Sequence, residues 1–338
     1  MLFRSVLCMK RINLTIIAVV ATTIFTFCGR RTDGNDEKTA NKNESSVVAV
    51  PVFNQDSAYN FVKTQVDFGP RVPNSKAHEN CLEYLSDKLG KFGAEVSIQK
   101  GTGTLYDGQK IDIKNIIGTF NPSAEHRILL VAHWDSRPFA DQDTERSKHK
   151  TPILGANDGA SGVGILLEVA RNLTTLPENT GIDIIFFDVE DYGAPYFYKG
   201  DKNENSWCIG SQYWSKNPHK ADYRAEYGIL LDMVGGSGAK FYKEQYSVRY
   251  ADNIVEKVWS KAINAGFDGY FVNKRGGYII DDHLPINNIR NIPTIDIIQY
   301  DPSSENGFNR HWHTTKDDMN NIDKNTLYVV GDRKSTRL

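Results

Sequence analysis

The strongest constraint on this chain is a recurring pattern in which a short apolar run ends on acidic or imidazole residues. Runs of strand length lie at Val96–Gln99, Asn115–Phe120, Ile128–Ala132, Ile182–Phe187, Ile229–Met233 and Thr294–Ile298. Several are apolar throughout rather than alternating, as strands covered on both faces are. Helical periodicity precedes and separates them, at 54–66, 75–91, 160–173 and 251–265. In the second segment Leu82, Leu85 and Leu89 mark one face, and Gly93 follows as a stop signal. In the last, Ile254, Val255, Val258, Trp259 and Ala262 form an inner stripe. Strands alternating with helices predict an α/β fold: an open, mainly parallel, doubly wound sheet with helices on both faces.

The expected organisation has four parts. Residues 1–28 read as an export segment, because Arg4, Lys10 and Arg11 precede the apolar run Ile12–Phe27. That run, about 16 residues, is short of the roughly 20 a spanning helix needs. Cys28 at its end resembles the lipidation site of a bacterial lipoprotein. The resemblance implies a membrane-anchored protein of the periplasm or cell envelope. Residues 29–50 are charged and polar, and too poor in large apolar side chains to order themselves, so they read as a flexible tether. Residues 51–330 form the catalytic domain, about 280 residues and large enough for a well-buried core. The final stretch, 331–338 (GDRKSTRL), does not resemble the end of a domain and is expected to be truncated or non-native.

Forty basic against forty-two acidic residues leave a net charge of −2. With no basic stripe or zinc-finger spacing, nucleic acid is not an expected partner. The four cysteines make no disulfide scaffold. Cys8 and Cys28 belong to the export segment. Cys81 and Cys208 could pair in an oxidising compartment, but by default read as two small buried residues.

Chemistry-bearing residues collect where the apolar runs end. Ile128–Ala132 leads into His133-Trp134-Asp135, and Ile182–Phe187 into Asp188-Val189-Glu190-Asp191. The run at Ile229 meets Asp232. A glycine-rich turn, GANDGASG around Asp158, opens the 160–173 helix, and His311-Trp312-His313 follows the last strand. Each piece alone has a bland reading: a hydrogen-bonded histidine, a helix cap, a solvated loop. Together they would place many carboxylates at one sheet edge, which is costly without a cation. Mixed imidazole and carboxylate donors suit zinc, and a catalytic zinc site keeps one position open.

In order along the chain, HWDSRP, GANDGASG, FFDVED, LLDMVG and the final WHT resemble the zinc aminopeptidase clan. Within it they most resemble glutaminyl-peptide cyclotransferases, over about residues 54–330. That resemblance implies one Zn2+ per chain, held by Asp158, Asp191 and His313. It makes Glu190 the general acid/base, and Asp232 and Asp281 carboxylates that hold Glu190 by hydrogen bonds. Trp312, Phe308 and Ile279 then line the substrate pocket, and the substrates are peptides and proteins with N-terminal Gln. Asp191 departs from the mammalian cyclases, which carry Glu there. Asp135 is expected to orient His133, Asp282 and His283 to cap the turn at Pro285, Trp134 and Trp207 to serve packing, and His311 to be a solvated loop residue.

The competing reading is a two-zinc aminopeptidase, since His133, Asp158, Asp191, Asp232 and His313 also supply a two-metal ligand set. The segment DDHLP and Trp312 directly before His313 favour the cyclase. A non-catalytic peptide-binding lipoprotein would have lost the base, but Glu190 is present.

Overall fold

The computed structural model describes residues 52–332 other than 174, 175, 178 and 204. The expected export segment with Cys28, the tether, and residues 333–338 of the expected tail lie outside the described residues. Along the chain come α1 (Gln55–Asp67), α2 (Lys76–Lys91), β1 (Glu95–Thr104), β2 (Lys110–Phe120) and β3 (His126–His133). Next are α3 (Ala160–Arg171), β4 (Thr180–Phe187), α4 (Ile209–Lys216), β5 (Tyr227–Asp232) and β6 (Phe241–Lys243). The remainder are α5 (Gln245–Asn264), β7 (Phe271–Arg275), the helical turn α6 (His283–Pro285), β8 (Thr294–Ile298) and α7 (Lys324–Gly331).

Six strands form one sheet in the order β1-β2-β4-β3-β5-β8. The β4-β3-β5-β8 portion is parallel, whereas β1 and β2 join by antiparallel pairings at one edge. The mostly parallel sheet therefore agrees with the sequence pattern. Strands β1 and β2 run further than their apolar segments suggest. Their outer halves pair Lys100 with Lys114 and Thr102 with Asp112, polar positions at a partly exposed edge. A separate two-stranded parallel sheet, β6-β7, carried no apolar signature long enough to read.

Helices cover both faces. Ile128, Leu130, Ala132, Ile182, Ile184 and Phe186 turn toward α1, α2, α3, α5 and α7 in the larger core. Leu129, Val131, Ile185, Phe187 and Leu230 turn the opposite way, packing with Trp214 of α4 and with Ile286. Each buried Val, Leu, Ile or Phe among them stabilises the fold by about 1.5–3 kcal/mol. Asn54 caps α1 and Ser75 caps α2 by accepting from backbone N–H groups of the first turn. The expected helix at 251–265 starts earlier, at Gln245, because Glu244 caps it; Ala251, where the periodicity begins, is a non-helical kink. The expected tail shares Gly331 with α7, where an added Cβ would collide with the Phe53 ring.

Away from the chemistry-bearing edge, Asp183 on β4 is fully buried. It accepts from Arg127 Nε (2.6 Å) and Nη2 (2.9 Å), from Thr119 Oγ1 and from the Tyr223 hydroxyl. Replacing one partner of such a pair strands a buried charge, at a cost of about 3–5 kcal/mol. Arg127→Met is therefore expected to lower unfolding stability by about that amount in denaturant titrations, while turnover per folded molecule stays unchanged. A loss below about 1 kcal/mol would mean that the pair contributes little.

Candidate metal centre and active site

Parallel strands deliver their carboxyl ends to a common edge, where open α/β sheets bind ligands. His133 is the last residue of β3 and Asp232 the last of β5; Glu190 and Asp191 lie just past β4. Asp158 sits in the glycine-rich turn before α3. It is not the helix cap, a position taken by Gly159 at φ 94°. An added Cβ on Gly159 would come within 2.6 Å of the Asp135 carbonyl oxygen, so only glycine fits this approach. Asp317 fixes the same turn by accepting from the N–H groups of Asn157 (2.8 Å) and Asp158 (3.0 Å). The fully buried Arg71 braces it further by donating to the carbonyls of Trp134, Leu154 and Gly155.

Two overlapping clusters share Asp158. His313 Nε2 lies 3.1 Å from Asp191 Oδ1 and 3.6 Å from Asp158 Oδ2. His133 Nε2 lies 3.1 Å from Asp158 Oδ1 and 3.2 Å from Asp232 Oδ1. Within each triad one donor atom per residue lies within 4.8 Å of the others, so either could surround a cation. Hydrogen bonding separates them. Asp158 Oδ2 and Asp191 Oδ2 are buried without a partner, whereas Asp232 leaves no such orphan and faces His133. Buried carboxylate oxygens without donors are what a cation would satisfy, so the Asp158/Asp191/His313 set fits a metal better.

The backbone is strained at this edge. Among the described residues the non-glycine positions in left-handed conformation are Asn74, Asn121, Asn291, Val189, Cys208, Met233 and His313. Asparagine tolerates that region. The other four all adjoin the site, and Val189, β-branched, is an outlier of the kind that clusters where function requires it.

Glu190 is buried, and burial raises its pKa well above the carboxylate range; His133 opposes the shift, while Asp191, Asp281 and Asp282 reinforce it. Asp281 is raised in the same way, by burial and then by Asp232 and Asp282. Burial would lower His133, yet Asp135, Asp158 and Asp232 hold it well above the ordinary imidazole value. The sequence reading has Asp281 and Asp232 hydrogen-bonded to Glu190. In the structure Asp281 approaches Glu190 within the same 4.8 Å cluster as Cys208, and Asp232 engages His133 instead. The Cys208 thiol donates to Glu190 Oε1 (3.4 Å). Cys81 and Cys208 are both buried free thiols, so the default reading holds.

A cavity of about 510 Å³ opens onto Asp158, Glu190, Asp191, Asp232, Asp281 and His313. Its apolar wall brings together Ile279, Phe308 and Trp312; the last two rings lie 4.4 Å apart, and Trp312 stacks on His313 at 3.6 Å. Trp207 also lines the cavity, so it does more than pack, whereas Trp134 is wholly buried against His78. Asp282 and His283 cap nothing: the helical turn α6 has no side-chain cap, and His283 Nε2 faces Glu244 at 3.3 Å. Asp135 lies 3.5 Å from His133 Nδ1 as expected, and its carboxylate also accepts the N–H groups of Glu190 and Asp191. His311 is a half-buried loop residue beside Arg310. Arg71, Asp317, Arg137 and Asp141 went unread, because single buried charges in loops carry no periodicity.

A buried carboxylate–imidazole centre with cation-ready oxygens, at the carboxyl edge of a mostly parallel sheet, defines a metal-dependent enzyme architecture. The model of peptidase family M28 matches residues 115–336, and the chain belongs to that family. It is similar to a Zn-dependent exopeptidase structure from Parabacteroides distasonis ATCC 8503 (56% identity, TM-score 0.83, covering 85% of this chain and 98% of that one). It is also similar to Bacteroides thetaiotaomicron glutaminyl cyclase bound to N-acetylhistamine (55% identity, TM-score 0.81, 85% and 97% covered). Aminopeptidase YwaD of Bacillus subtilis (strain 168) is 26% identical over 304 residues, which are 88% of this chain and 57% of that protein. The chain thus spans little more than half the length of that relative.

Family and donor set together point to zinc. Stripping metal with a chelator is expected to lower Tm, and stoichiometric zinc to restore it, since a ligand bound only by the folded state stabilises that state. An unchanged Tm through both steps would count against a metal centre.

Proposed function

We propose that this chain cyclises the N-terminal glutamine of peptides and proteins to pyroglutamate, releasing ammonia, with one zinc ion per chain. The observation that carries this reading is a single cavity joining Glu190, the Asp158/Asp191/His313 donor set and the Ile279–Phe308–Trp312 wall. The 55% identity to a glutaminyl cyclase, over 97% of that chain, supports it.

Asp158, Asp191 and His313 would hold the zinc ion, which would supply Lewis-acid chemistry toward the glutamine side-chain carbonyl. The nucleophile is the substrate's own α-amine, so the main task of the protein is to fold the substrate back on itself. Trp312, Phe308 and Ile279 hold the glutamine stem and exclude water that would hydrolyse the amide. As the α-amine nitrogen bonds to the side-chain carbon, Glu190 accepts its proton. The bond to the amide nitrogen then breaks, and Glu190 returns the proton to the departing ammonia. A carboxylate raised by burial and by acidic neighbours suits both halves of that transfer. Asp281 crowds Glu190 with a second buried carboxyl group, and Asp232 holds His133 in place.

The reading includes export to the periplasm or cell envelope and a lipid tether at Cys28, supported by the basic residues ahead of Ile12–Phe27. A two-zinc aminopeptidase is the second reading, favoured by the His133/Asp158/Asp232 triad. Incubation with glutamine-first peptides separates the two. Ammonia with a blocked peptide N-terminus is expected, whereas release of free amino acids would overturn the proposal. In the same assay Glu190→Gln should retain zinc and lose at least about 100-fold in kcat. Near-normal turnover would assign the proton transfer to another group.

A further inference from the structure

Behind the proposed zinc ligands lies a buried ion pair that the reaction itself does not require. Arg137 Nε and Nη2 donate to the two carboxylate oxygens of Asp141 at 2.8 and 2.9 Å, a bidentate pairing. The remaining amino group, Nη1, donates to Asp191 Oδ1 (3.1 Å), to the Asp191 carbonyl (3.2 Å) and to that of Gly193 (3.4 Å). Asp141 Oδ1 faces His313 Nδ1 at 3.5 Å, while the other nitrogen of that ring looks toward Asp158 and Asp191. The guanidinium also lies 4.9 Å from the Trp207 ring on the cavity wall. Both charged groups are almost wholly buried.

From this geometry we infer that Arg137 and Asp141 act as one positioning unit for the metal centre, aiming Asp191 and His313 at the same point from behind. Each does a distinct part of the task. Asp141 faces the Nδ1–H of His313 as its acceptor, which keeps the proton on Nδ1, fixes the tautomer and leaves Nε2 free to ligate. Arg137 holds Asp191 by side chain and backbone together, so a short carboxylate cannot rotate away. A lone guanidinium this close would repel a divalent cation. Bidentate pairing with Asp141 offsets its charge and leaves the Nη1 amino group for the Asp191 side chain and carbonyl. The two residues are thus needed together, and either alone would harm the centre.

The inference rests on the zinc reading above, and zinc affinity, measured by competition with a chromophoric chelator, separates the two. Failure of the unaltered chain to bind zinc would strike the reading itself. Given binding, Arg137→Gln and Asp141→Asn should each weaken affinity by about 10–100-fold. The double variant carries no stranded buried charge, so it keeps a metal-free Tm near that of the unaltered chain. It should lose no more affinity than the worse single variant, because the two residues form one unit. A double variant that binds zinc within about threefold of the unaltered chain, or single losses that multiply, would overturn the inference.

Discussion

The structure turns on an excess of buried negative charge at one edge of the sheet. Asp158, Glu190, Asp191, Asp232, Asp281 and Asp282 are all buried there, facing the imidazoles of His133 and His313 and an Arg137 already paired with Asp141. Each uncompensated carboxylate costs several kcal/mol to bury, so such a set persists only with a cation or by taking up protons. The raised values of Glu190 and Asp281 describe the second outcome for the metal-free chain, and the unpartnered oxygens of Asp158 and Asp191 mark where the first applies. Strand order, the close approach at Gly159 and the left-handed residues Val189, Met233 and His313 are the means by which the fold gathers these groups.

Much of this arrangement is legible before folding. Continuous apolar runs of strand length that end on polar residues read as buried strands, and in a mostly parallel sheet their ends converge, so His133, Asp158, Glu190, Asp191, Asp232 and His313 could be assigned to one place. Ile279, Phe308 and Trp312 followed from family resemblance rather than from any pattern of their own, and the structure brings them onto one wall. What escaped has a physical reason in each case. The outer half of β1 is polar because it lies at the sheet edge, that of β2 only alternates, with Ile111 and Ile113 buried between polar residues, and β6 is too short for periodicity to register. Arg71, Arg137, Asp141 and Asp317 act through backbone carbonyls, N–H groups and one another, and a sequence does not display such partners.

Neighbours of nearly equal similarity carry the names exopeptidase and glutaminyl cyclase, so overall likeness does not separate the two chemistries. The distinction lies in local hydrogen bonding. His133 Nε2 and Asp232 Oδ1 face each other at 3.2 Å, while of the two carboxylates not shared between the triads it is Asp191 that leaves a buried oxygen without a donor. An aromatic wall stacked directly on that histidine suits a substrate that must fold on itself with water excluded.

The most direct measurement of the central claim is anomalous diffraction from crystals of the zinc-loaded protein, collected on both sides of the zinc absorption edge. A single strong peak is expected among Asp158, Asp191 and His313. A second peak of equal height between His133 and Asp232, or no peak beside His313, would contradict the account.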